Sequence, residues 1–303
     1  MNPAIAIFGF GVGLLIGATG MGSGALMTPI LILVFGVKPV LAVGTDLCFG
    51  AVTQSFGAWR HLRTGMVDTR LAGWLACGSV PGAVLGTALI RVLRTSAGAS
   101  VDRIVLLAVA GAILLAAAAV LVRAFLAVRH EPVYRESVLP GRWAGYGAAA
   151  VAFPVGVIVG MTSTGAGTLI SVALILIFGL APRRVVGTDV FHAAILLSAA
   201  AIANLLVGTV NLPMVGNILA GSIPGVLIGS RLVVHVPATV LRLVLGVVML
   251  MSAIGVGIKA GVPLAPPAFV AIALVLIAAT WVVHRLTRRG LALPPAADTM
   301  AAS

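Results

Sequence analysis

Asp46 and Asp189 each close a Gly-Thr-Asp triplet inside an otherwise apolar segment. A carboxylate near the centre of a bilayer costs about 2.5–3.5 kcal/mol or more, so its presence there calls for a task. Two tasks fit this residue type. A buried carboxyl can load and release a proton as access alternates between two sides of a membrane. It can instead act as an N-cap, because Thr-Asp readily satisfies the free N–H groups of a helix start. His192 follows Asp189 by three residues and therefore shares its helical face. The position matching His192 in the first half is Phe49, so any histidine role belongs to one half, and a lone histidine also serves as a hydrogen-bonded structural residue. Thr45, Asp46, Thr188, Asp189 and His192 are the candidates for coupling or gating.

A second pair of motifs could hold a ligand. Gly17-Ala-Thr-Gly-Met-Gly-Ser-Gly24 and Gly160-Met-Thr-Ser-Thr-Gly-Ala-Gly167 interrupt hydrophobic sequence with glycine and hydroxyl residues. Glycine permits unwound backbone, which at membrane depth is tolerated only around a protein-lined cavity. A helix resuming near Gly24 or Gly167 would present free N–H groups and a positive dipole end. Such a helix start suits an anion. The candidate substrate-binding residues are Thr19, Gly22, Ser23 and Gly24 in one half, and Thr162, Ser163, Thr164, Gly165 and Gly167 in the other. The competing reading is close helix packing, since Gly9, Gly13 and Gly17 also form a small-residue face. For Gly78, Gly82 and Gly86, and for Gly221, Gly225 and Gly229, packing is the only reading taken, with Pro81 and Pro224 adding kinks.

These motifs belong to a duplication. Residues 17–86 and 160–229 align without a gap at an offset of 143, carrying with them Phe35-Gly36 and Phe178-Gly179, the two Gly-Thr-Asp triplets, and Gly-Ser-x-Pro-Gly at 78–82 and 221–225. The chain is 303 residues, 61% hydrophobic and 9% charged, with mean hydropathy +1.21. A soluble domain carries roughly 25% charged residues, so this chain cannot cover itself in water. Apolar segments fall near 3–20, 23–37, 40–59, 71–90, 104–128, 143–161, 164–181, 185–207, 213–233, 238–258 and 265–284. The predicted fold is a polytopic all-α membrane protein of two inverted-topology repeats. It has about 9–11 hydrophobic segments, and the short ones beside the Gly-rich stretches read as re-entrant hairpins or full crossings. A duplication in such a chain is the mark of a transporter whose halves share a central site.

The net charge of +12 does not point to nucleic acid, because the cations sit in short loops between spans, where orientation requires them. Placing Arg60, Arg63 and Arg70 in the cytoplasm and counting spans outward puts fourteen Lys and Arg residues inside and five outside: Lys38, Arg91, Arg94, Arg103 and Lys259. That balance favours an outside N-terminus and a cytoplasmic C-terminus. The outside cluster Arg91, Arg94 and Arg103 has no explanation in the sequence beyond snorkelling. Arg60, Arg63 and Arg70 align with Ala203, Leu206 and Pro213, whereas Val40 and Leu41 align with Arg183 and Arg184. Equivalent loops thus differ in charge, which predicts that the halves are inverted. The expected organisation is a first repeat over 1–128, a cytoplasmic linker over 129–142, a second repeat over 143–258, and an extra span with a cytoplasmic tail over 259–303. Cys48 and Cys77 lie in apolar stretches, so no disulfide framework is expected. No His-Glu-x-x-His or nucleophile–base pairing is seen, so no enzyme, metal or cofactor is expected.

The duplicated Gly-rich stretch with Phe-Gly-Val-x-Pro and Val-Gly-Thr-Asp resembles the TauE/SafE family of bacterial membrane proteins. Thr64-Gly65-Met66-Val67-Asp68, Gly78-Ser79-Val80-Pro81-Gly82 and Val186-Gly187-Thr188-Asp189-Val190-Phe191-His192-Ala193 extend the likeness over roughly residues 5–258. The resemblance implies a multi-pass permease of the bacterial inner membrane. Its cargo would be sulfite, a sulfonate or a similar small anion, moved outward and linked to the proton gradient. The expected partners are that anion and the lipid bilayer, and a homodimer is left open. A passive anion channel is the main rival and an intramembrane enzyme a weaker one.

Overall fold

The computed structural model describes residues 3–19, 23–96, 100–126, 142–232 and 238–263, and every element among them is helical. The first half comprises α1 (Pro3–Thr19), a 3-10 turn at Ser23–Ala25, α2 (Met27–Leu33), α3 (Pro39–Arg63), α4 (Thr69–Ser96) and α5 (Ser100–Leu126). The second repeats the order as α6 (Arg142–Thr162), α7 (Thr168–Leu176), α8 (Pro182–Val207), α9 (Leu212–Leu232) and α10 (Ala238–Lys259). Gly22, the linker over 129–141, the apolar segment at 265–284 and the tail lie outside the described residues, as does the side chain of Thr19.

Five of these helices are long and apolar enough to cross a membrane. At 1.5 Å per residue, the 7 residues of α2 and the 9 of α7 span only about 10–14 Å, so neither can. Both follow a Gly-rich stretch, and both end before a proline at the first position of the next helix, Pro39 or Pro182. Proline fits there because the first helical N–H has no partner to lose.

The packing exchanges partners between the halves. A methyl group at Gly9, Gly13 or Gly17 would lie 2.7, 2.3 or 2.3 Å from the carbonyl oxygens of Ile218, Ser222 and Val226, so α1 runs parallel to α9 at backbone contact. Gly78, Gly82 and Gly86 meet Ala149, Phe153 and Val157 in the same way, joining α4 to α6. The four-residue glycine spacings are therefore packing faces on both sides of the duplication. The central pair behaves differently. Gly50 abuts Leu197 and Gly57 abuts Val190, so residue numbers rise along α3 as they fall along α8. The matching helices α3 and α8 cross antiparallel in the core.

Candidate functional site

The two acids sit inside helices rather than at their starts. α3 begins at Pro39 and α8 at Pro182, which places Asp46 and Asp189 two turns into each. The capping reading of these residues is thereby corrected. The caps belong instead to Asp68 and Asn211, which directly precede α4 and α9 and accept hydrogen bonds from Leu71 N at 3.0 Å and Met214 N at 3.1 Å. Thr45 and Thr188 serve these caps across the halves. Thr188 Oγ1 accepts from Asp68 N at 2.9 Å, and Thr45 Oγ1 accepts from Asn211 N at 3.2 Å.

Each acid is gripped by the short helix of its own half. Thr28 Oγ1 donates to Asp46 Oδ2 at 2.6 Å, and Ser171 Oγ donates to Asp189 Oδ2, also at 2.6 Å. Thr28 and Ser171 are themselves equivalent at the offset of 143, so the two halves build the same acid–hydroxyl pair. Asp46 takes a further bond from the opposite half, Ser163 Oγ donating to Oδ2 at 2.7 Å. Its Oδ1 has no hydrogen-bond partner among the described residues. Asp46, Asp189, Thr28, Ser171, Ser163, Thr45, Thr188 and Asp68 are all buried, and Asn211 is half-buried.

The Gly-rich stretches meet one another directly. Gly24 faces Ser163 so closely that a Cβ on it would stand 1.8 Å from the Ser163 carbonyl oxygen. Thr164 Oγ1 donates to Gly24 O at 3.1 Å, tying the stretches together. Ser163 adopts the left-handed conformation with φ +62°, and Gly165 has φ +104°. Between the stretches lies a cavity of about 10 Å³ lined by Ser23, Gly24, Ser163, Gly165, Gly167 and Thr168, with room for about one water molecule.

Most of the hydroxyls expected to hold a ligand have protein acceptors. Thr162 Oγ1 donates to Ile158 O, Thr164 Oγ1 to Gly24 O and Thr162 O, and Ser163 Oγ to Asp46. Thr168 is the exception, and sequence reasoning missed it. It opens α7 behind an N-cap glycine that supplies no side-chain hydrogen bond. Its hydroxyl lines the cavity, is buried, and has no partner among the described residues. Its equivalent is Ala25, so a search for features shared by both halves passes over it. His192 lies apart from this cavity, its Nε2 paired with Ser79 Oγ at 2.8 Å where α8 meets α4.

A family model, sulfite exporter TauE/SafE, matches residues 5–256. The chain belongs to the TauE/SafE family. Among curated relatives, it is 36% identical over 211 residues to the probable membrane transporter protein YjnA of Bacillus subtilis, an alignment covering 70% of this chain and 82% of the relative. It is 35% identical over 98 residues to the probable membrane transporter protein YunE of the same organism, covering 32% and 36% of the two chains. No solved structure matches. This TauE/SafE protein is thus a multi-pass transporter of the bacterial plasma membrane and not an enzyme.

Proposed function

We propose that this transporter exports a small sulfur oxyanion, such as sulfite or a sulfonate, in exchange with the proton gradient. The carrying observation is the Thr168 hydroxyl, buried at the positive end of α7 and without a partner among the described residues, in a cavity whose described lining holds no acid. An N-terminal helix end and an unspent donor suit a group that only accepts hydrogen bonds, which describes a sulfur oxyanion. The substrate-binding set is Ser23, Gly24, Ser163, Gly165, Gly167 and Thr168, with Thr162 and Thr164 bracing the stretch beside them.

Asp46 supplies the proton site in this reading. Ser163 both walls the cavity and donates to Asp46 Oδ2, so a proton arriving at Oδ1 weakens the acceptor that holds the wall. Asp189 and Ser171 repeat only the Asp46–Thr28 pair, so the link from acid to cavity wall belongs to Asp46 alone. The halves are read as inverted across the bilayer, with 1–128 and 143–258 as the repeats. The antiparallel crossing of α3 and α8 supports that reading. A cavity sized for one water favours a carrier that must open alternately over a continuously open channel.

The test is flux in proteoliposomes for sulfite, sulfate, thiosulfate and sulfonates, with and without an imposed pH gradient. Sulfur oxyanion flux that follows the gradient is expected. Absence of such flux, or flux at channel rates indifferent to pH, overturns the proposal.

A further inference from the structure

One end of the bundle carries a larger, charged pocket. It lies where the start of α3, the end of α4, the start of α5 and the end of α8 converge, and its volume is about 390 Å³. Lys38, Arg94 and Asp102 line it together with Leu41, Gly208 and Thr209. Among the described residues, neither Lys38 nor Arg94 has an ion-pair partner. Two cations against one carboxylate give the pocket a net positive charge, and the N-terminal ends of α3 and α5 add positive partial charge. This pocket accounts for Arg94, which charge counting alone left unexplained.

The pocket floor connects with the polar interior. Leu41 O accepts the Thr45 hydroxyl at 2.6 Å, and Thr45 precedes Asp46. Thr209 Oγ1 donates to Asn204 Oδ1 at 2.8 Å, and Asn204 Nδ2 donates to Thr87 Oγ1 at 3.0 Å. The pocket therefore opens at the α3 end opposite Arg60 and Arg63, above the half of the bundle that holds Asp46.

We propose that this pocket is a second oxyanion site, a vestibule in which Lys38 and Arg94 hold the anion outside the central cavity. Its volume admits a sulfite or sulfonate, which the central cavity does not without opening. Cations around a recess concentrate anions and raise their on-rate by about 10–10³-fold, an effect that falls with ionic strength. Asp102 limits retention, because a nearby carboxylate repels a bound anion.

The inference rests on the anion-transport reading, and equilibrium dialysis of radiolabelled sulfite against nanodisc-embedded protein separates the two. Wild-type protein is expected to bind two equivalents. The double variant Lys38→Gln, Arg94→Gln should bind one, with at least a tenfold higher KM for sulfite entering from the outer face in counterflow and kcat within twofold. Thr168→Val should retain the vestibule equivalent. Asp102→Asn should tighten that equivalent. One equivalent in the wild type, or an unchanged KM in the double variant, overturns the vestibule while leaving the central site standing. No binding of sulfite or the related oxyanions at all defeats the anion-transport reading itself. An equivalent present in phosphatidylcholine but displaced by phosphatidylglycerol assigns the pocket to a lipid headgroup phosphate and overturns the vestibule.

Discussion

Ser163 Oγ donates to Asp46 Oδ2 at 2.7 Å, so a residue in one half of the duplication holds the buried acid of the other. Position 20, the equivalent of Ser163, is glycine and offers no matching hydroxyl. The duplication is therefore broken at the point where the two Gly-rich stretches touch. Ser163 occupies this place with φ +62°, a conformation that costs a non-glycine residue about 1–3 kcal/mol and persists only where the surroundings enforce it.

Two substitutions separate the bond from the backbone conformation. Ser163→Ala loses the hydrogen bond and keeps the unfavourable φ, whereas Ser163→Gly loses the bond and relaxes the backbone. Ser163→Ala should lower stability by about 1–3 kcal/mol, the cost of removing a partner from a buried polar group. Ser163→Gly should recover about 1 kcal/mol of that. Thermal unfolding in detergent measures both. Efflux driven by a pH gradient should fall in each variant alike, since each frees Asp46 from the cavity wall.

Thr168→Val tests the binding site by a divergence between stability and flux. The Thr168 hydroxyl has no partner among the described residues, so its removal costs the fold nothing and relieves a desolvation penalty of about 1–3 kcal/mol. The melting temperature should hold or rise while sulfite flux drops at least tenfold. Unchanged flux would remove Thr168 from the site.

The contact between the Gly-rich stretches predicts a sharp size limit. Gly24→Ala would place a methyl 1.8 Å from the Ser163 carbonyl oxygen, where backbone on both sides leaves nothing to move aside. The loss should reach about 3 kcal/mol or more, seen as aggregation on size exclusion. Gly11→Ala and Gly73→Ala meet nothing within 4 Å and should stay within about 0.5 kcal/mol of the parent.

Much of this arrangement was legible in the sequence because the duplication reports each important position twice. The Gly-Thr-Asp triplets, the four-residue glycine faces and the interrupted segments each recur at the same offset, and each has a matching structural role. What repetition could not reveal was the partner of each acid. Thr28 and Ser171 look like ordinary small residues in apolar runs, and only their shared hydroxyl at the same offset marks them. Repetition also misled. Thr168 was passed over because Ala25 stands opposite it, and the capping role fell to Asp68 and Asn211 because local Thr-Asp pairing says nothing about where Pro39 and Pro182 start the helices.

Asp46→Asn and Asp189→Asn address proton coupling. Asparagine keeps the carbonyl oxygen that accepts from Thr28 or Ser171, so the hydrogen bonds survive while the titrating group is lost. Each variant should fold, and each should export sulfite at a rate that no longer responds to an imposed pH gradient. Two variants that both keep the wild-type response would end the coupling role of these acids.

Membrane sidedness can be read from two equivalent positions. Arg63 ends α3, and its counterpart Leu206 lies one residue before the end of α8. Because α3 and α8 cross antiparallel, these ends point away from each other, and Leu206 falls at the bundle end where Gly208 lines the Lys38 pocket. In a background with Cys48→Ala and Cys77→Ser, Arg63→Cys should react with a membrane-impermeant thiol reagent only from the cytoplasm. Leu206→Cys should react only from outside. Labelling of both from one face would mean that the halves share an orientation, and the exchange of helix partners seen in the packing would then need another origin.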